Sequence, residues 1–337
     1  ADEADLPMCG IVEPNTKYVG LAELGSTGRE LPQPPATASD CCTLCQTNPH
    51  CRAWTWGGPQ HRCRVFALEP EQLIARQPNA NVTSGKPFAE PEESLFCFAL
   101  TQPAGYELDL LAMQHRERVG IFACDEYGVY SNKSLEVAPG VRTSVVDTDL
   151  HCDKGGEFNT ALNTDIFLAV WAKVVLDGRL RYHEWTVKAD ADSVFFPSRL
   201  RVAVHFHSPG FGDQKGVYLN NCKYGLHGPI EVLSRQAVLT FASGAQTCVA
   251  HFQKLCSGPC MWGEDMFLDQ CLRKVLKVRR IDDWNVLSEE HCDSGDWRDC
   301  KNGAIAFHPF KSLEGYRGCL AAADHGALPS PDRLRKT

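Results

Sequence analysis

Apolar runs and polar breaks alternate along residues 118–309 in a strand–helix rhythm. Arg118-Val-Gly-Ile-Phe-Ala-Cys124 is a short apolar run and predicts a first strand. Thr164 to Val175 carries apolar residues at helical spacing, with Thr164 as the N-cap. Trp185-Thr-Val187 begins a strand that runs into Lys188-Ala-Asp190-Ala-Asp192. Leu200 to Phe206 alternates and predicts another strand. Gly228 to Val238 reads as a strand passing into a helix, and Gly263 to Leu272 opens a second helix. Ala304-Ile-Ala-Phe-His308-Pro309 predicts a last strand ending at a histidine. Such alternation predicts an α/β sandwich with a mainly parallel sheet. In these sheets ligands sit at the carboxyl ends of strands, near a topological switch point.

The rhythm differs upstream. Ser39-Asp40 is placed to cap a helix carrying Cys41 and Cys45 on one face. Ala53-Trp54-Thr55-Trp56 and Cys63-Arg-Val-Phe66 alternate as strands do. The turn residues of Thr101-Gln-Pro-Ala-Gly105 mark a linker, so the predicted domains are 1–104 and 105–337.

Cysteine usage changes the picture most. There are 17 in 337 residues, seven between Cys9 and Cys97 and ten between Cys124 and Cys319. Cytosolic proteins rarely reach this density outside zinc sites, and Cys256-Ser-Gly-Pro-Cys260 has no matching second pair. Disulfides in an oxidising compartment follow, in the secretory lumen or outside the cell. The sequons at Asn81 and Asn132 fit that compartment. An odd count leaves at least one thiol outside an intrachain pair, and Cys42 is the first candidate.

Composition excludes some classes. Hydrophobic residues are 43% and charged residues 23%, ordinary for a globular chain, and the net charge is −8. No basic patch points to nucleic acid. No apolar run approaches the ~20 residues that span a bilayer. The opening Ala-Asp-Glu-Ala-Asp lacks a signal peptide and reads as a mature or trimmed start, of a secreted protein or of one cut from a membrane anchor.

The candidate chemistry lies at Asp190-Ala-Asp192. Two carboxylates ending a buried strand suit a hard divalent cation, and Mg²⁺ or Mn²⁺ keeps open positions for substrate phosphates. Asp147-Thr-Asp149 is the same pattern, and the ordinary reading of either is a solvated turn. Glu264-Asp265 opens a predicted helix, where the positive dipole end favours carboxylate.

Two resemblances add to this. Cys41-Cys42-Thr-Leu-Cys45, Cys51-Arg-Ala-Trp-Thr-Trp56 and Cys63-Arg-Val-Phe66 resemble a PAN/Apple module, a small disulfide-rich α+β domain that binds protein or carbohydrate. The resemblance implies bridges Cys9–Cys97, Cys41–Cys63 and Cys45–Cys51, with Cys42 able to replace Cys41. Trp185-to-Asp192, then Trp262-Gly-Glu264-Asp265, then Phe307-His308-Pro309 resemble, in that order, the GT-A glycosyltransferases of the fringe and β-1,3-galactosyltransferase group. That resemblance covers roughly residues 115–320. It implies Asp192, Asp190 and His308 as metal ligands and Asp190, Lys188 and Asp125 on the nucleotide. It also implies Asp265 as the base, with Glu264 as understudy. Ala191 departs from it, standing where the group commonly has a third acid. The loop from Tyr218 through Cys222 to Gly228 is placed on the acceptor side.

The leading reading is a Mn²⁺- or Mg²⁺-dependent inverting hexosyltransferase. It moves sugar from a UDP-sugar to a hydroxyl of a glycan or glycoprotein in the Golgi or ER lumen. The Apple-like module docks a protein or carbohydrate partner. The alternatives are a non-enzymatic secreted glycoprotein on an inactive GT-A-like scaffold, and a metal-dependent hydrolase using the same carboxylates.

Overall fold

A computed structural model describes residues 12–23, 36–46, 51–57, 62–67, 74–85, 93–156, 159–207, 209, 213–258, 260–292 and 295–324. The chain divides into two compact units, Ala1–Pro91 and Glu92–Thr337.

In the first unit, strands β1 (Val12–Val19), β2 (Ala22–Glu23), β3 (Ala53–Gly57), β4 (Arg62–Ala67) and β5 (Ala75–Gly85) form an antiparallel sheet ordered β1-β5-β3-β4-β2. Helix α1 (Ala38–Gln46) contributes Cys41, Cys42 and Cys45 to a core completed by Cys51 and Trp54. Its start is set by Thr37 together with Asp40, not by Ser39. The Thr37 hydroxyl accepts from the Asp40 amide, and the Asp40 carboxylate accepts from the Thr37 amide, a reciprocal capping box. Cys41 is bonded to Cys63 and Cys45 to Cys51. Cys42 is also disulfide-bonded and is not the odd thiol; the free cysteine among the described residues is Cys152. Cys9 lies outside the described residues. A core this rich in sulfur fits the rule that small domains supplement limited apolar burial with covalent staples.

The second unit begins earlier than the linker signal at residues 101–105 predicts. Strand β6 (Leu95–Leu100) is an inner strand of the large sheet, because Leu-Phe-Cys-Phe-Ala-Leu is apolar on both faces, as a covered parallel strand must be. The pairing Cys9–Cys97 is accordingly replaced: Cys97 on β6 is bonded to Cys124, which leads into the neighbouring strand.

After β6 the order is α2 (Tyr106–Glu117), β7 (Glu126–Ser131), a hairpin of β8 (Glu136–Ala138) and β9 (Val141–Arg142), β10 (Ser144–Val145), a second hairpin of β11 (Lys154–Gly155) and β12 (Thr160–Ala161), and α3 (Thr164–Asp177). Then come β13 (Trp185–Ala189), β14 (Val194–Phe195), α4 (Pro197–Phe206), β15 (Val217–Asn220), β16 (Ile230–Ser234), α5 (Arg235–Leu255), α6 (Glu264–Gln270), β17 (Arg279–Asp282), β18 (Leu287–Ser288), β19 (Ala306–Phe307) and α7 (Leu313–Asp324).

The seven-stranded sheet runs β10-β7-β6-β13-β16-β15-β17 and is parallel except where β16 pairs β13 and β15. The molecule is thus mixed α/β with a largely parallel central sheet. Strand alternation builds two cores. Leu95, Cys97, Val187 and Val232 meet α2 and α4 on one face, and Phe96, Phe98, Tyr218 and Leu233 meet α3, α5 and α6 on the other. A satellite sheet, β14-β19-β18, joins α7 and α2 around Phe307 and Tyr316.

Three predicted elements differ. Arg118–Cys124 holds a 3₁₀ turn at Gly120–Ala123, and the strand follows at β7. Leu200–Phe206 lies within helix α4, started by Pro197 at its first turn. Ala304–Pro309 contributes two residues to the satellite sheet rather than a strand to the main one.

Candidate active site

β13 ends at Ala189, and the chain turns through Asp190-Ala191-Asp192 into β14. The turn is held from several directions. The Asp190 amide donates to the Pro229 carbonyl, Gln114 Nε2 of α2 donates to the Ala191 carbonyl (2.7 Å), and the Tyr316 hydroxyl of α7 donates to the Ser193 carbonyl (3.0 Å). The Ala191 methyl group is buried in the core beneath the turn, so this position has no room for solvent around a third acid.

Asp190, Asp192 and His308 offer ligand atoms that all lie within 4.8 Å of one another. His308 follows β19, which pairs antiparallel with β14, and this register returns the histidine beside Asp192. His308 Nε2 is 3.4 Å from Asp192 Oδ1, and the Tyr106 hydroxyl donates to Asp192 Oδ2 (3.1 Å). Burial alone would raise the Asp192 pKa, but His308 and Tyr106 hold it below the usual carboxylate value. Burial likewise opposes charge on His308, yet the Asp192 and Glu289 carboxylates hold its pKa up at about 9. Two carboxylates and one imidazole converging on one point fit a divalent cation, and the mixed donor set suits Mn²⁺ better than Ca²⁺.

Lys188 is buried and does not face the cleft. Its ammonium bonds Asp190 Oδ1 (2.7 Å), the Gly228 carbonyl (2.7 Å) and Glu264 Oε1 (3.2 Å), and lies 4.5 Å from the centre of the Phe167 ring. Burial opposes its charge, but Asp190, Glu264 and Glu231 outweigh it and raise its pKa. One ammonium therefore joins Asp190 to the helix carrying Glu264 and Asp265. The junction is tight at Gly228, where an added Cβ would lie 2.7 Å from Glu264 Oε1. Opposite Lys188 in the β13–β16 register sits Glu231, fully buried, with neither carboxyl oxygen hydrogen-bonded. Burial pushes its pKa well above the ordinary value, against the pull of the Lys188 charge.

Helix α6 opens as the sequence predicts. Asp265 Oδ1 accepts from the Met266 amide (2.7 Å) and Oδ2 from the Gly228 amide (3.1 Å). Burial, with the Glu264 charge beside it, raises the Asp265 pKa, a direction that suits a proton acceptor at neutral pH. A surface hollow of about 340 Å³ opens beside His308, bounded by Glu289, Trp297, Arg298 and Lys311.

The structure does not bring Asp125 to this site. It lies at the amino end of β7, at the edge of the sheet away from Asp190, where its carboxylate accepts from the Leu95 amide and pairs with Arg201. Tyr218 is buried, its hydroxyl donating to Asp269 Oδ1 (2.6 Å). Asn81 is exposed on β5, whereas Asn132 is half-buried and its Nδ2 donates to the Asp149 carbonyl. Tyr106, Gln114, Tyr316 and Glu289 are site residues that sequence reasoning missed. Each is remote in the chain from Asp190 and sits in no motif.

No family model matches the chain, and no curated protein matches its sequence. Among solved structures, a glycosyltransferase involved in the glycosylation of the major capsid of PBCV-1 is similar over 68% of this chain and 99% of its own, at 10% identity and a TM-score of 0.37. The apo-form glycosyltransferase GlyE of Streptococcus pneumoniae TIGR4 is similar over 56% of this chain and 45% of its own, at 12% identity and a TM-score of 0.32. Likeness at this level is a partial overlap of chain path and says nothing of chemistry.

Proposed function

We propose that the second unit is a metal-dependent inverting glycosyltransferase of GT-A type, using a UDP-sugar and a hydroxyl acceptor on a glycan or glycoprotein. The observation that carries this is the convergence of Asp190, Asp192 and His308 at the carboxyl end of β13, coupled through Lys188 to Glu264. Asp190, Asp192 and His308 would hold Mn²⁺ or Mg²⁺, which neutralises charge on a departing diphosphate. Asp265 takes the proton of the acceptor hydroxyl. The acceptor oxygen then bonds the sugar's anomeric carbon while the bond to the β-phosphate oxygen breaks, so UDP leaves and configuration inverts. Glu264, tied to Lys188, is the second candidate base. The first unit is read as a PAN/Apple-type module for a protein or carbohydrate partner, and the disulfides fit a lumenal or extracellular setting.

The test is Mn²⁺-dependent UDP release from a panel of UDP-sugars, with Asp192→Asn as control. Activity in the wild type and its loss in the variant are expected. A fully active Asp192→Asn protein overturns the metal assignment. Absence of UDP–Mn²⁺ binding at millimolar concentrations favours the inactive-scaffold alternative.

A further inference from the structure

We propose that Glu289 is the positioning residue of this centre: it takes Nδ1–H of His308, so the ring presents Nε2 to the acids. The inference rests on the metal reading above and adds a residue in no recognised motif.

The backbone dictates the placement. β18 and β19 run parallel with Ser288 opposite Phe307, and the His308 amide donates to the Ser288 carbonyl. One residue further, Glu289 and His308 leave neighbouring strands at the same level. Glu289 is 7% exposed. Its Oε1 lies 2.8 Å from His308 Nδ1, and its Oε2 lies 2.8 Å from Nδ1 of a second ring, His227.

The second ring is itself fixed. The Asn221 side chain accepts from the His227 amide and donates to the carbonyls of His227 and Ile230. The bond Cys222–Cys292 ties the segment carrying His227 to the short helical turn that follows Glu289. One carboxylate thus holds two rings, joining three separate stretches of chain.

The consequence is chemical. A neutral imidazole carries one N–H and one lone pair. With Nδ1–H held toward Glu289, Nε2, the nitrogen 3.4 Å from Asp192 Oδ1, is the one that gives up its proton to an incoming cation and offers it the lone pair. The other tautomer would aim N–H at Asp192 and could not ligate. Carboxylates that fix metal-binding histidines in this way typically contribute 10–100-fold to metal affinity. A glutamine at 289 has one accepting oxygen and can hold only one of the two rings as Glu289 does.

The test uses the whole chain titrated with Mn²⁺ and followed by electron paramagnetic resonance. The wild type should bind with a ¹⁴N coupling from one imidazole, and His308→Ala should lose that coupling. Glu289→Gln should lower Mn²⁺ affinity about 10–100-fold and weaken the coupling, with thermal unfolding little changed. Glu289→Gln with wild-type affinity and coupling overturns the proposal while leaving the metal reading intact. A wild type that binds no Mn²⁺ overturns both. Should Glu289→Gln fail to fold, Glu289→Asp keeps the charge but is one methylene short of spanning both rings. Unchanged affinity and coupling in that variant would overturn the proposal equally.

Discussion

Asp147-Thr-Asp149 and Asp190-Ala-Asp192 are one pattern in two settings. The first pair is exposed, and the Asp149 carboxylate accepts from the His151 amide two residues on, a side-chain contact within the turn. The second pair takes its partners from across the fold: Tyr106 of α2, His308 after β19, and Lys188, which reaches on to α6. What separates a turn from a candidate metal centre is therefore not the acidic spacing. It is whether the surrounding elements bring a second and third donor to the same point.

Asp192→Asn is the largest expected break in that contrast. A metal contributes several kcal/mol to charge stabilisation, so UDP release should fall by about a thousandfold. Asp149→Asn should stay within about twofold, as exposed substitutions usually do. Equal losses from both, measured as UDP release per folded protein, would erase the distinction between the pairs.

Lys188→Met comes next and acts on stability. Removing one partner from a buried charge cluster typically costs about 3–5 kcal/mol, because the remaining charges lose compensation. Asp190 and Glu264 would be left in that position. Glu231→Gln should cost under about 1 kcal/mol, since burial already disfavours the acid's charge and its oxygens lack hydrogen bonds. Urea unfolding of both variants separates the two. A large cost from Glu231→Gln would mean that this acid is charged and paired with Lys188.

The contrast also shows what could be read from sequence. β13, α3, β16 into α5, and the Glu264-Asp265 helix start were legible because apolar periodicity and a following acidic turn coincide there. Leu200–Phe206 was misread because a short amphipathic run fits either period, and Pro197 as a helix start was the overlooked signal. Cys97 was assigned to the wrong unit because a continuous apolar strand carries no mark of which sheet it joins. Glu289 was invisible because Ser288-Glu289-Glu290-His291 looks like any polar surface turn. Its role comes only from the parallel register of β18 with β19.

A smaller effect concerns Asp283, a buried carboxylate outside the site. Burial would raise its pKa, but the His207 ring at 2.9 Å and the Asn285 amide hold it below the usual value. A depressed folded pKa contributes stability that is present above the unfolded carboxylate value, near 4, and is lost as pH falls through the folded value. Hydrogen bonds to a charged group are worth about 1.5–3 kcal/mol. Asp283→Asn should therefore destabilise by about that much at pH 7, with the gap closing below about pH 4. A gap independent of pH, in urea unfolding at several pH values, would assign the loss to packing instead.

Cys152 follows Asp149 by three residues, and its thiol pKa is raised, first by burial and then by the Glu264 charge. The stretch after the first acidic pair therefore feels the same carboxylate that Lys188 ties to the second. If so, Cys152 should alkylate more slowly in the native protein than in urea at pH 7.5, because the thiolate is the reacting form. Glu264→Gln should speed the native reaction modestly, since it removes a charge that disfavours the thiolate. A rate unmoved by Glu264→Gln would detach that stretch from α6. Distance from the site would then distinguish the two acidic pairs as well as the partners that each one meets.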